Sequence, residues 1–197
     1  MALDLSRLSC SRQAPLAGAG ELLRENITGE AAAQPTEFLT WWDESHWHIR
    51  FECIDAHPWA TITDRDGRLW TEEVVEVFVD PLGDLQAYFE IEVNPRNTVC
   101  DLVLRRLRGG WRKEFGWHCE GLETAVSLAP GGWRAEMHIP IAAVTNAPVR
   151  PGTQWRANFF RIDRPGGPGS TPELSAWSPS LRSTFHWPES FGFVEFI

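Results

Sequence analysis

Alternating hydrophobic and polar residues run through most of the chain beyond about residue 36, and this pattern predicts β-strands. In residues 46–54, Trp, Ile, Phe and Cys occupy every second position, and His, Arg and Glu stand between them. A period of two residues is typical of a strand with one buried face and one polar face. Similar patterns predict further strands over residues 37–42, 74–80, 87–94, 99–106, 123–128, 133–139, 155–162 and 191–197.

Runs of turn-forming residues separate these segments, at residues 43–45, 81–84 and 129–132. Short, regularly spaced strands with almost no helical period indicate a sandwich or barrel. We therefore predict an all-β fold: an antiparallel β-sandwich of the jelly-roll or immunoglobulin-like type, with long loops and at most short helical turns, one of them at residues 140–144. Residues 1–35 lack a sustained period, so we expect an irregular arm packed on a single domain formed by residues 36–197.

Composition and charge narrow the class of partner. The formal net charge of the 197 residues is −9, which argues against binding to nucleic acid or to an anionic membrane surface. No apolar run reaches the ~18 residues of a membrane span. The N-terminus lacks the apolar core of a secretory leader, and the four cysteines form no C-x-x-C pair. We therefore expect a cytoplasmic protein with reduced thiols, although a disulfide such as Cys53–Cys100 stays open.

Aromatic residues and carboxylates supply the candidate chemistry. The chain has 11 Trp, and Trp70 and Trp177 lie beside turn residues, outside the alternating pattern. The strand at 74–80 presents Glu76 on its polar face, and the next strand presents Glu90 and Glu92. Carboxylates give fixed hydrogen-bond acceptors for sugar hydroxyls, and a flat indole suits the apolar face of a pyranose. The alternative is a solvated sheet face with two tryptophans that cap the sandwich.

Several ordered segments resemble the family 9 carbohydrate-binding modules, within the wider group of DOMON-like sandwiches. The resemblance covers about residues 36–197. It depends on the order and spacing of these segments: Leu69-Trp70, residues 73–81, residues 88–95 with Asp101, residues 132–140, residues 152–161, Trp177-Ser178-Pro179, residues 185–188 and Phe191-Gly192.

The resemblance implies non-catalytic binding of a mono- or oligosaccharide, with a sugar ring held between Trp70 and Trp177. It also implies polar partners from the sheet face and nearby loops, namely Glu76, Asn94, Arg96, Asn158 and, as a weaker candidate, Arg161. His186 lies near Trp177 in the sequence and either lines the site or holds its loop by hydrogen bonds. Family members bind ends of glucans or xylans and often carry structural calcium. Here no calcium-binding motif is present, no cofactor is required, and the chain looks like a free-standing member.

Other functions stay open at this point. An interaction domain that uses exposed tryptophans is the main alternative, and a glycoside-active enzyme is a weaker one. No catalytic residue is predicted, because the sequence contains no nucleophile elbow, P-loop or Rossmann glycine pattern. His46 and His48 have a spacing that can ligate a metal, and Met137 could serve as a haem ligand. The simpler interpretation places these histidines on a polar strand face and Met137 in the core.

Overall fold

The computed structural model describes residues 5–16 and 18–197, which form two β-sheets packed face to face. Residues 1–4 and Ala17, all part of the predicted arm, lie outside the described residues. The strands are β1 (Arg7–Cys10), β2 (Glu21–Leu22), β3 (Arg24–Glu25), β4 (Thr36–Trp42), β5 (His46–Ile54), β6 (Val74–Asp80), β7 (Ala87–Val93), β8 (Val99–Leu107), β9 (Gly110–Glu114), β10 (Glu123–Ala129), β11 (Gly132–Pro140), β12 (Gln154–Asp163), β13 (Glu173–Ala176) and β14 (Gly192–Phe196). The prediction of an all-β sandwich is confirmed.

Among residues 5–16 and 18–197, helical structure is limited to single turns. These are α1 (Ile141–Val144), at the predicted position, and 3-10 turns at Leu69–Thr71 and Pro188–Ser190. Within the described ranges, no helix is long and apolar enough to cross a membrane.

The larger sheet has nine strands and supplies the surface on which the candidate site is built. Its main path is β1-β14-β12-β6-β7-β8-β9, β13 pairs with β12, and β3 pairs with β13. The smaller sheet has the order β10-β11-β5-β4-β2. All neighbours are antiparallel except β1 and β14. The arm therefore contributes β1 and β3 to the larger sheet and β2 to the smaller one.

The main core lies between the sheets, where the alternation of each strand places its apolar residues. In β5 every second residue is buried, from Trp47 to Cys53. Aromatic rings join the two layers: Phe38 of β4 stacks on Phe159 of β12 with ring centroids 3.9 Å apart, and Trp47 contacts Trp155 edge-on. Such aromatic pairs stabilise the sandwich beyond the area they bury.

A second core covers part of the outer face of the larger sheet. All seven residues of β6 are buried, because loop and turn residues such as Leu69 and Phe185, with Trp111 of the edge strand β9, pack on the face that points away from the first core. This second cluster includes Phe78, Tyr88, Phe160, Phe185 and Phe191. The sequence predicted a polar outer face here, and the structure shows instead a sheet that is buried on both sides at its centre.

Candidate functional site

A cavity opens over the outer face of the larger sheet, next to the second core. Its volume is about 260 Å³, a little below the ~300–1,000 Å³ of sites for drug-sized ligands. The cavity is therefore suited to a small ligand. Its lining residues come from β6, β7, β9, β12, β13, the 3-10 turn at Leu69–Thr71 and the loop after β13: Trp70, Glu76, Glu90, Lys113, Ile162, Leu174, Ser183, Thr184, Phe185 and His186.

Trp70 reaches the cavity from the 3-10 turn that follows the long loop after β5. The neighbouring Leu69 is fully buried and anchors this turn. The carboxylate of Glu72 accepts hydrogen bonds from the backbone N–H groups of Thr61 and Ile62, which ties the loop to the turn. The indole itself is half-buried, with the Lys113 ammonium 5.0 Å from its ring centroid. Trp70 is thus a fixed aromatic surface at the edge of the cavity.

Three glutamates form an acidic floor on the outer face of the sheet. Glu76 of β6 lies opposite Glu92 of β7, and Glu90 is two residues away on the same face of β7. All three are buried, and Glu76 and Glu90 line the cavity. Burial raises the pKa of Glu76 and of Glu92 well above the usual carboxyl range, and the negative charge of Glu90 adds to both shifts. Burial also raises the pKa of Glu90.

One lysine faces this floor. Lys113, the only lysine in the chain, lies on β9 with its ammonium 3.9 Å from Glu90 Oε1. The imidazole of His186 adds no positive charge at neutral pH, because burial and the Lys113 charge lower its pKa to about 4. Its Nδ1 lies 2.8 Å from the Tyr88 hydroxyl, and its ring stacks on Phe78. His186 therefore lines the cavity and also holds its own loop, so both sequence interpretations are realised.

The prediction for Trp177 is wrong. Its side chain is 4% exposed and packs edge-on against Phe38 and Phe159 in the main core. The reason is strand register. Ala176 is paired with Phe160, which faces outward, so the next residue points inward, and its N–H donates to the Phe159 carbonyl. The two-tryptophan sandwich is consequently not formed by Trp70 and Trp177.

Two predicted asparagine ligands stabilise backbone instead of lining the cavity. Asn158 is fully buried; its amide donates to the Ser178 carbonyl and accepts from the Ser178 N–H. Asn94 is also fully buried and accepts from the N–H groups of Arg96 and Thr98 in the β7–β8 hairpin. Their amide groups are used within the protein, so the structure contradicts the ligand-binding prediction for both.

Arg96 is exposed and lies apart from Trp70. It lines a second, larger cavity of about 550 Å³, together with Thr63, Asn97 and Leu128. That cavity has polar side chains but no aromatic ring and no carboxylate in its lining, so it lacks the flat surface on which a sugar ring would stack. We therefore place the candidate site at the smaller cavity and correct the prediction for Arg96.

Arg161 was predicted as a weaker ligand, and the structure contradicts this as well. The side chain points inward at one end of the sandwich and is fully buried. Its guanidinium pairs with Asp55 and Asp163 and donates to the Ile54 carbonyl. Glu73 completes this cluster of three buried carboxylates.

Neither carboxylate cluster among the described residues fits the calcium that the resemblance implies. Calcium takes about six to eight oxygen ligands. In the cluster of Asp55, Glu73 and Asp163, the Arg161 guanidinium already neutralises part of the charge. The other cluster, Asp66 with Asp101 and His118, includes an imidazole, and Arg65 pairs with its buried aspartate. We assign no role to calcium.

Glu73 gives a prediction for the dependence of stability on pH. Burial raises its pKa from 4.5 to about 8. Because the folded state favours the protonated form, the stabilisation is complete below pH 4.5 and is lost as the pH rises to about 8. Urea denaturation at several pH values across this range measures the change. As the pH rises, the free energy of unfolding of Glu73→Gln should fall by about 1–3 kcal/mol less than that of the unsubstituted protein. Parallel pH profiles for the two proteins would contradict this assignment.

Sequence reasoning missed seven of the ten residues that line the cavity, and Lys113, Phe185 and Glu90 show why. Lys113 lies on β9, which was not predicted because residues 110–114 show no alternation between apolar and polar side chains. Its occurrence as the only lysine was the one available signal. Phe185 stacks on Phe160 with ring centroids 4.3 Å apart, and no local pattern separates it from an ordinary core residue. Glu90 was noted as part of a polar face but not selected.

Comparison with known proteins agrees with this architecture. Residues 17–197 match the family described as Carbohydrate family 9 binding domain-like. The chain belongs to this family. The match covers every strand except β1 and every residue that lines the site, so the predicted resemblance to family 9 modules is confirmed.

Solved structures with the same fold include other members of this group. A candidate carbohydrate-binding protein from Bacteroides uniformis has a TM-score of 0.74 at 21% identity, with 97% of this chain and 99% of that chain covered. A family 9 module from Caldicellulosiruptor kristjanssonii in complex with cellotriose has a TM-score of 0.71 at 16% identity, covering 97% and 93%. The same kind of module from that organism in complex with glucose has a TM-score of 0.72 at 16% identity, covering 98% and 96%.

A curated relative is also similar in sequence. An "Extracellular protein" from Arthroderma benhamiae is 26% identical over 140 residues, which are 66% of this chain. The match spans 63% of the length of that relative.

Proposed function

We propose that this family 9-like domain binds a mono- or oligosaccharide in the cavity beside Trp70 and performs no chemistry on it. The observation that carries the proposal is a half-buried indole next to buried carboxyl groups, in a cavity of about 260 Å³. That volume suits one sugar ring, so a longer chain would enter by its terminal unit. Similar modules in complex with glucose and cellotriose support this ligand class.

Each group at the site has a role in such a complex. The Trp70 ring offers a flat surface for the C–H face of the sugar. Glu76 and Glu90 exchange hydrogen bonds with hydroxyl groups, as acceptors when ionised and as donors when protonated. Phe185 excludes water from the inner end of the cavity. Aromatic packing and hydrogen bonds supply all these contacts, so the proposed binding needs no cofactor.

The arrangement of the carboxyl groups favours binding over hydrolysis. In glycosidases of the usual kind, two carboxyl groups flank the scissile bond from different sides. Here Glu76, Glu90 and Glu92 lie side by side on one face of one sheet. A sugar on this floor would have all three groups on the same side.

Titration with sugars tests the proposal, and chemical labelling of the single lysine, Lys113, shows where the sugar binds. We expect calorimetry with glucose, xylose and cellobiose to detect binding at micromolar to millimolar concentrations. The bound sugar should also slow acetylation of Lys113, followed by mass spectrometry, because the amine lines the cavity. If no sugar in a broad panel binds, the proposal fails and an interaction domain becomes the better interpretation.

A further inference from the structure

The acidic floor of the cavity has too little positive charge around it. Three buried carboxyl groups, those of Glu76, Glu90 and Glu92, are matched by one ammonium, that of Lys113. Among the residues that line the cavity, Lys113 is the one charged cation, since His186 is neutral at neutral pH. Buried carboxylates normally have a paired cation or several hydrogen-bond donors.

Hydrogen-bond donors do not compensate for the shortage of positive charge around the three glutamates. Glu90 Oε2 and both carboxyl oxygens of Glu92 are buried and accept no hydrogen bond from the described residues. Glu90 and Glu92 also lie two residues apart on the same face of β7, so each adds negative charge near the other. Glu90 is 2% exposed and lines the cavity, so a buried carboxyl oxygen without a hydrogen-bond donor, Glu90 Oε2, borders the place where the ligand would bind.

A ligand with an ammonium group would supply both the positive charge and the hydrogen-bond donors that the three glutamates lack. An ammonium has three N–H donors and a full positive charge, whereas a sugar hydroxyl has one donor and no charge. Hydrogen bonds between an ammonium and a carboxylate are roughly twice as strong as those between neutral groups. An N-acetyl group would remove the charge, and a uronic acid or sulfated sugar would add repulsion.

We propose that the ligand is an amino sugar with a free amine, bound with its ring on Trp70 and its ammonium on Glu76 and Glu90. This inference rests on the proposed function, because it assigns the class of sugar to the same cavity. An ammonium beside Glu76 and Glu90 favours the ionised form of both carboxyl groups and opposes the rise in pKa that burial causes, so its binding should release protons to the buffer.

Calorimetry with glucosamine, glucose and N-acetylglucosamine tests the proposal. At neutral pH and low salt, we expect glucosamine to bind about 10-fold or more tightly than the two neutral sugars. Measurements in two buffers of different ionisation enthalpy should show proton release with glucosamine and none with glucose. Ethanolamine, an amine without a sugar ring, should bind at least 10-fold more weakly than glucosamine.

Two substitutions should move the preference in opposite directions. Glu90→Gln keeps the shape of the side chain and removes its charge, so the ratio of glucosamine to glucose affinity should fall several-fold. Lys113→Met removes the cation that competes with the ammonium of the ligand for Glu90. The ratio of glucosamine to glucose affinity should therefore rise. A purely structural effect of either substitution would change both affinities together and leave the ratio unchanged.

The possible results separate this inference from the proposed function. If the three sugars bind equally, or the ratio is the same in both variants, the amino-sugar inference is wrong and sugar binding stands. If ethanolamine binds as well as glucosamine, the ring has no role and the inference is again wrong. If none of the sugars binds, the proposed function itself fails.

Discussion

Replacing Trp70 with alanine is expected to weaken sugar binding by about 30-fold, a loss of about 2 kcal/mol. Trp70 is the half-buried indole of the cavity, and the core position of Trp177 leaves no second tryptophan in its lining. The lost surface therefore has no substitute. Calorimetry with the best ligand of the panel measures the effect. Trp70→Phe should recover part of the affinity, because a smaller ring still offers a flat face.

A matched control is available on the other side of the sandwich. Trp41 is also half-buried, and it stacks on His48 at the outer face of the smaller sheet. Trp41→Ala should change the affinity for sugar less than 2-fold, because this ring lies on the opposite sheet from the cavity. If Trp70→Ala binds as tightly as the unsubstituted protein, or if Trp41→Ala loses binding instead, the assignment of the site is wrong.

Arg161→Met is expected to lower the free energy of unfolding by about 3–5 kcal/mol. The guanidinium is fully buried and is the cation paired with Asp55 and Asp163, and Glu73 lies in the same cluster. Removal of one partner leaves buried carboxylates without their counter-charge, which costs more than the pair itself contributes. Urea denaturation at neutral pH measures the change. The loss is a large part of the ~5–15 kcal/mol by which domains are stable.

Two further variants serve as controls for Arg161→Met. Arg134 pairs with Glu52 on the exposed face of the smaller sheet, and Arg134→Met should cost less than about 1 kcal/mol. Arg161→Lys keeps a positive charge and should be more stable than Arg161→Met. If the methionine variant does not fold, the lysine variant still gives a folded protein to measure. Folded Arg161→Lys should bind sugar with unchanged affinity, because the side chain does not line the cavity. A loss of affinity without a loss of stability would restore Arg161 as a ligand.

Much of the fold followed from local patterns. The bounds of β5 and β6 agree with the prediction to the residue, because their apolar and turn-forming residues are distinct. β9 and β13 were missed: the first has no clear alternation, and the second is four residues long. Strands of this kind form because a neighbouring strand supplies hydrogen bonds, and a pattern within one segment does not show the neighbour.

The site was predicted less completely than the fold. Trp70, Glu76 and His186, all selected from the sequence, line one cavity, and their role in binding stays a prediction. Trp177 was not, because its side chain changes face with a shift of one residue in the register of β13 against β12. Polar residues such as Asn158 have the same side chain whether they bind a ligand or a backbone carbonyl, so sequence alone does not separate the two roles.

The sequence by itself determined the class of fold, the family and the strand that carries Glu76, since all of these depend on the order and spacing of residues along the chain. The tertiary structure decided which surfaces are covered. Only in the folded protein do loop residues bury the outer face of the larger sheet at its centre, and only there does the single lysine lie beside Glu90. Burial and charge at this site come from residues far apart in the chain, so no local pattern contains them.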